Sequence, residues 1–140
     1  MELVAFLEPF FMQRGKPTIG GGVKDRELLA VIQGASGVIT TGVSGDVRVD
    51  FPCTIVGWTL LADQTGSIQI DIWKDLYGNY PPTVADSITA AAKPLISSGV
   101  KNQSTTLSGW TTAITAGDTL RFNVDSVTAF NRVTLALHLK

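Results

Sequence analysis

Few residues in this sequence could perform acid–base or nucleophilic chemistry. His138 is the single histidine, so any Ser-His-Asp or Cys-His catalytic group would have to include it. It lies on the opposite side of an alternating segment from Leu137 and Leu139, which predicts a solvent-facing strand residue. Neither a G-x-S-x-G nor an H-E-x-x-H motif occurs. We therefore expect a protein that is not an enzyme, and we assign no catalytic residue.

Candidate metal ligands are equally sparse. Cys53 is the single cysteine, which excludes an intrachain disulfide and a Cys-rich metal site, and its apolar neighbours predict a buried, inert thiol. Asp63, Asp71 and Asp75 could be imagined around a calcium ion, but the EF-hand spacing is missing. Alternation places Asp71 on the same face as Trp73, so we interpret this region as a solvated polar face. We expect neither a metal nor a cofactor.

Three aromatic residues, Trp73, Tyr77 and Tyr80, offer flat surfaces of the kind that stack on sugar rings. Trp73 is predicted to point away from the strand face that carries Ile70 and Ile72. If no second sheet or subunit covers that side, the three residues are the best candidate for a patch that binds a host glycan. The alternative is that they pack in the core or against another subunit, and this is the interpretation we favour.

Alternation of apolar and polar residues dominates the remaining sequence. It occurs in residues 46–51, 67–74, 117–124 and 132–140, and it predicts strands with one face on a core. The turn-forming residues 63–66 predict a hairpin. We expect about eight to ten strands and one domain from a chain of 140 residues. The predicted fold is all-β: a jelly-roll-like antiparallel β-sandwich with an extended N-terminal arm.

The N-terminal segment is unusually apolar for a chain terminus. We divide the chain into an arm and tether, residues 1–27, and a sandwich domain, residues 28–140, because three consecutive glycines at 20–22 give the tether high conformational freedom. Burying five large side chains of the arm would contribute about 7–15 kcal/mol before ordering costs. The arm either folds back on its own sandwich or docks on another protein, and we favour docking. The predicted assembly contacts are Leu3, Phe6, Leu7, Phe10, Phe11 and Met12.

The bulk properties exclude several classes of partner. Eleven Lys and Arg against twelve Asp and Glu give a formal net charge of −1, which offers no long-range attraction for a nucleic acid. No apolar run approaches the ~20 residues of a membrane-spanning helix. The first residues lack a positive region and contain Pro9, which argues against a signal peptide. We expect a protein made in a cytoplasm that binds neither nucleic acid nor membrane.

Several linked motifs in residues 46–139 resemble a known family. The sequence is similar to the jelly-roll domain of structural proteins of tailed bacteriophages: head fibres, capsid decoration proteins and tail-fibre tips. The motifs that carry the resemblance are residues 58–74, 80–83, 85–88, 107–110 and 117–124. The resemblance implies a virion component without catalysis, commonly trimeric, whose β-body faces outward while an N-terminal segment attaches it to the particle.

Two functions follow as expectations. The first is a capsid decoration or cement protein, a homo-oligomer with a trimer favoured, that attaches to the major capsid protein or another virion protein through its apolar arm. The short arm favours this role over that of a receptor-binding fibre, which usually carries a long shaft. The second is a carbohydrate- or receptor-binding module at a phage tail or fibre tip. Both place the protein in the virion, after synthesis in the host cytoplasm.

Overall fold

The structure is a computed structural model that describes the backbone of residues 2–9 and, with their side chains, residues 25–140. The described part of the chain contains eight strands and two short 3₁₀ turns, connected by loops. The strands are β1 (Glu2–Pro9), β2 (Arg26–Gln33), β3 (Gly42–Val49), β4 (Cys53–Leu76), β5 (Leu95–Ser104), β6 (Ala113–Ile114), β7 (Asp118–Thr128) and β8 (Arg132–Leu139). The 3₁₀ turns span Tyr77–Asn79 and Val84–Asp86. No helix of the described residues is long and apolar enough to cross a membrane.

The 24-residue strand β4 organises the antiparallel sheet. β8 pairs with its first half, from Ile55 to Ala62, and β7 pairs with its second half, from Ser67 to Leu76. β2 and β3 lie outside β8 and β7, which gives the order β1-β2-β8-β4-β7-β3. β5 and β6 also pair with β4. The chain thus places its longest strand at the centre and its N-terminal strand at an edge.

The sheet folds across its middle, so that both halves face one core. β1 and β3, the two ends of the strand order, lie against each other. The predicted alternation is confirmed in residues 67–74, 117–124 and 132–140, where the alternating apolar positions are buried and most of the intervening ones are more exposed. The antiparallel all-β sandwich is therefore confirmed. Inner-face residues from both halves include Leu28, Ile32, Leu60, Ile70, Ile72, Leu120, Phe122, Leu135 and Leu137.

The predicted hairpin at residues 63–66 is wrong. β4 runs without a break from Cys53 to Leu76, and its pairing with β5 shifts register between Leu61 and Gly66. Four residues of β4 therefore lie opposite Val100 alone, and the strand bulges outward where the sheet folds. Residues 63–66 therefore form a bulge within β4 and do not reverse the direction of the chain.

Gly66 is required at this fold because a side chain there has no room. A Cβ on Gly66 would clash with the carbonyl oxygen of Thr128 and lie 2.8 Å from Cε1 of Phe130. We expect Gly66→Ala to lower the free energy of unfolding by ~1–3 kcal/mol through overpacking. Gly99, its partner in β5, is the matched control, because a Cβ there would meet its nearest neighbour at an ordinary 3.7 Å. Equal urea midpoints for Gly66→Ala and Gly99→Ala would contradict the expectation.

The N-terminal segment contributes the edge strand β1. Residues Glu2–Pro9 pair antiparallel with Arg26–Gln33 of the same chain, so the backbone of this part folds back on its own sheet. Of the predicted assembly contacts, Leu3, Phe6 and Leu7 belong to this strand. Phe10, Phe11 and Met12 lie outside the described residues. Docking of these six residues on a neighbouring protein stays a prediction.

Candidate functional site

The connection after β4 presents two tyrosines at the surface. Tyr77 opens the 3₁₀ turn and Tyr80 follows it, and the backbone amide of Tyr80 donates to the carbonyl of Tyr77 over 3.1 Å. The Asp75 carboxylate fixes the turn by accepting from the backbone amide of Leu76 at 2.7 Å and from Nδ2 of Asn79 at 3.1 Å. Side chains three residues apart eclipse in 3₁₀ geometry, so both tyrosines leave the turn on one side.

Tyr80 is anchored to the outer face of the sheet by a charged pair. Arg121 of β7 and Asp46 of β3 are register partners, and the guanidinium donates to both carboxylate oxygens, over 2.6 Å from Nε and 3.1 Å from Nη2. The hydroxyl of Tyr80 donates to the same carboxylate over 2.8 Å. The hydrogen bond to Asp46 raises the pKa of Arg121, which favours the protonated guanidinium. A bidentate pair of this kind holds both side chains in a defined geometry.

Tyr77 lies beside a second arginine. The guanidinium carbon of Arg48 is 5.1 Å from the centroid of the Tyr77 ring, and that of Arg121 is 5.5 Å from the centroid of the Tyr80 ring. Both distances fall within the range of cation–π attraction. Arg48 also forms an ion pair with Asp50, with Nε 2.7 Å from Oδ1. Each tyrosine therefore lies next to an arginine that is itself paired with a carboxylate.

Trp73 lies beside these tyrosines but has a different environment. It is the register partner of Arg121 in β4, so it shares the outer face with the Asp46–Arg121 pair. Its indole nitrogen donates to Oδ2 of Asp71 over 2.9 Å, and its backbone forms an isolated bridge with Ser87. Trp73 is half-buried, whereas Tyr77 and Tyr80 are exposed. The structure thus brings all three predicted aromatic residues to one region of the surface.

The interpretation of Asp71 as part of a solvated face is wrong, because Asp71 is only 1% exposed. Its Oδ1 accepts from the hydroxyls of Ser87 and Thr89, both at 2.7 Å, and from the backbone amide of Ile72 at 2.8 Å. The ammonium of Lys93 lies 3.5 Å from Oδ2. The segment after the second 3₁₀ turn therefore covers Asp71 and is fastened to β4 through this carboxylate and through backbone hydrogen bonds, such as that from the amide of Ile88 to the carbonyl of Ile72 at 2.9 Å.

The surroundings of Asp71 favour its ionised form. Burial by itself raises the pKa of this carboxyl, but the hydrogen bonds from Ser87, Thr89 and Trp73, together with the charge of Lys93, lower the pKa below its ordinary value. Lys93 continues the network outward, since its ammonium lies 2.6 Å from Asp125. This cluster holds the segment before β5 in place and leaves no open position for a reactant at the carboxylate.

His138 lines a small pocket on another part of the surface. The pocket has a volume of about 270 Å³ and is lined by Trp58, Gln103, Ser104, Thr105 and His138. His138 is half-buried on the outer face, with Nε2 2.9 Å from the hydroxyl of Thr59 and Nδ1 3.3 Å from Glu27. The two ring nitrogens thus face a hydroxyl and a carboxylate, and neither Thr59 nor Glu27 is among the residues that line the pocket.

The structure also gives the surroundings of the possible metal-ligating side chains and of the single thiol. Within the residues that the structure describes, no group of three or more His, Cys, Asp or Glu side chains converges as a metal site. Cys53 is buried, and burial raises the pKa of its thiol, which keeps the sulfur protonated and unreactive.

The partners of Tyr77 and Tyr80 were not predicted from the sequence: they are Asp46, Arg48 and Arg121. All three occupy outward positions of alternating strands, so the pattern marks them as surface residues. The alignment of β3 with β7 brings Asp46 to Arg121 across 75 positions of sequence. The register of β3 with β7 cannot be predicted from the local sequence of either strand.

No protein-family model and no curated protein matches this sequence. The solved structures that are similar to this chain include three with low TM-scores. The K1 cleaved adhesin domain of Lys-gingipain from Porphyromonas gingivalis W83 is 15% identical, with a TM-score of 0.40 over 99% of this chain and 82% of its own. The capsid asymmetric unit of cyanophage Pam1 is 14% identical, with a TM-score of 0.34 over 91% of each chain. A structure described as "CBM4 structure and function" is 14% identical, with a TM-score of 0.28 over 96% and 89%. None of these values assigns a family or an activity to the chain.

Proposed function

We propose that this protein is a non-enzymatic structural protein of a phage virion, a capsid decoration or cement protein that displays its β-sandwich outward. The observation that carries the proposal is the position of the apolar N-terminal segment. β1 joins the sheet at its edge, through pairing with β2, and the glycine-containing residues 10–25 lie between the two strands. An edge strand that is connected to the rest of the chain by such a tether can pair with a neighbouring subunit instead of with its own sheet.

Strand exchange gives the attachment a physical route. The eight register pairs between β1 and β2 are a backbone pairing, so β1 of one copy can form the same backbone hydrogen bonds with β2 of another. The core formed by β2 to β8 contains fully buried side chains from both halves of the sheet, which supports a body that stands as a rigid unit. This arrangement supports a homo-oligomer, a trimer in our proposal, seated on the major capsid protein or another virion protein.

Removing the arm tests the attachment. We expect deletion of residues 1–16 to leave a folded body and to weaken association with the virion by at least about 100-fold, because each buried phenylalanine contributes roughly 1.5–3 kcal/mol. Co-sedimentation with particles lacking the protein measures the association, and near-UV circular dichroism reports the fold. The full-length triple variant Phe6→Ala, Phe10→Ala, Phe11→Ala is the matched control for chain length and should show a similar loss. Wild-type association by both variants would refute the proposal.

A second candidate function is a carbohydrate- or receptor-binding module at a phage tail or fibre tip. The specific observation that favours it is the pair of exposed tyrosines beside Trp73, held by Arg48, Arg121 and Asp46. Surface aromatic rings with fixed polar neighbours are the usual elements of a site that recognises sugars. This function and attachment by the arm use different parts of the chain, so one protein can have both.

A further inference from the structure

We propose that Tyr77 and Tyr80, together with Asp46, Arg48 and Arg121, form a binding site for a neutral oligosaccharide. The proposal rests on the carbohydrate-binding function and specifies its ligand. The two rings are the stacking surfaces, and the Asp46–Arg121 pair supplies hydrogen bonds to sugar hydroxyls.

Stacking requires exposed aromatic faces whose orientation is fixed. Tyr77 is 65% exposed and Tyr80 is 46% exposed, although each has a charged partner. The arginine next to each ring limits its motion by cation–π attraction. Each ring has a guanidinium on one side, and the exposed part of the ring is available to the apolar side of a sugar. Such restriction before binding lowers the entropic cost of association.

The hydrogen-bonding capacity of the charged pair is only partly used. An ionised carboxylate has about four acceptor positions, and three on Asp46 are occupied by Nε and Nη2 of Arg121 and by the Tyr80 hydroxyl. Among the described residues, the Nη1 group of Arg121 has no hydrogen-bond acceptor, so its two hydrogens can donate. One acceptor on Asp46 and two donors on the opposite edge of the Arg121 guanidinium can therefore reach separate hydroxyl groups of a bound sugar.

The charge around the tyrosines selects a neutral ligand. Arg121 is neutralised by Asp46 and Arg48 by Asp50, so the two arginines and their partners sum to zero. Asp75, whose carboxylate holds the turn through amide donors, adds negative charge beside Tyr77. A uronic or sialic acid would therefore meet no excess positive charge and one nearby carboxylate. A hexose or N-acetylhexosamine meets no such repulsion.

The spacing of the rings favours an oligosaccharide over a single sugar. Tyr80 contacts Asp46 and Tyr77 contacts Arg48, two positions further along β3. Two residues of a strand rise by ~7 Å, so the anchoring points of the two rings are separated by about that distance. A chain of linked sugars can cover both rings at once, whereas a monosaccharide covers one.

The test is calorimetric titration of the full chain with hexasaccharides of glucose, galactose, mannose and N-acetylglucosamine, and with a hexasaccharide of galacturonic acid as the acidic probe. We expect at least one neutral ligand to bind more tightly than the acidic one. Tyr77→Ala should weaken that binding by about tenfold or more, and Tyr80→Phe, which keeps the ring and removes the hydroxyl, by a smaller factor. Val84→Ala is the matched control, since Val84 is an exposed apolar residue of the same connection.

The outcomes separate the ligand class from the underlying function. Tighter binding of the acidic hexasaccharide, or neutral binding unchanged by Tyr77→Ala, overturns this site and its specificity but leaves carbohydrate binding in place. If none of the five probes binds, the carbohydrate-binding function falls together with the site. Neutral binding that is lost in Tyr77→Ala and kept in Val84→Ala is the result that supports the proposal.

Discussion

Replacing Asp71 with alanine is expected to lower the free energy of unfolding by about 3–5 kcal/mol, because it removes one partner from a buried, charged network. The carboxylate accepts hydrogen bonds from two hydroxyls, one indole and one backbone amide, with the ammonium of Lys93 close by. Without it, the hydroxyl of fully buried Thr89 loses its carboxylate partner. Urea unfolding at pH 7 measures the loss, from the shift in midpoint at constant slope.

Asp125→Ala is the matched control for this substitution. Asp125 also pairs with Lys93, at 2.6 Å, but its side chain is partly open to solvent. Screening by water limits such a pair, so we expect a loss of about 1 kcal/mol or less. If the two alanine variants are equally destabilised, burial of the Asp71 network is not what holds the segment from Ser87 to Lys93.

The same network predicts the direction of the pH dependence. The folded protein lowers the pKa of Asp71, so the unfolded chain binds the proton first as the pH falls. The stabilisation by the ionised carboxylate is complete well above the unfolded value of about 4 and is lost as the pH falls through the lower, folded value. The difference in unfolding free energy between wild type and Asp71→Asn should therefore shrink below about pH 4. A constant difference from pH 7 to pH 3 would contradict this linkage.

The strand faces could be predicted from sequence because they follow from a period of two. Ile68, Ile70 and Ile72 alternate with polar residues, and all three are buried on the inner face of β4. The continuity of β4 could not be predicted in this way. Residues 63–66 have the composition of a turn, but the strand continues through them because its flanks pair with β8 and β7, whose residues lie more than 50 positions later. Long-range pairing decides the conformation where local preference favours a reversal.

In the candidate site too, long-range contacts of single side chains could not be predicted from the local sequence. Alternation places Asp71 on the outer face, as expected, but the outer face is covered there by a segment that begins 16 positions later. The sequence allowed two positions for Tyr77 and Tyr80: on the surface, or packed in the core or against another subunit. Their anchoring on Asp46 and Arg121 depends on the register of β3 with β7, which joins residues from distant parts of the chain.

The second large effect is expected at Phe130, where the sheet folds. Phe130 is fully buried between β7 and β8, its ring lies against Gly66, and its carbonyl accepts the backbone amide of Ile39 over 2.8 Å. We expect Phe130→Ala to cost about 3–5 kcal/mol of unfolding free energy, since the cavity would lie where the two halves of the sheet meet.

Phe51 is the matched control for Phe130. It has the same side chain but is only half-buried, with the guanidinium of Arg26 4.2 Å from its ring centroid. Because the surface can collapse around a smaller residue there, Phe51→Ala should cost clearly less in the same urea titration. If Phe130→Ala is no more destabilising than Phe51→Ala, the ring of Phe130 does not hold the two halves of the sheet together. A larger loss of unfolding free energy in Phe130→Ala would show that the two halves of the sheet are held together at residues 129–131, which connect β7 to β8.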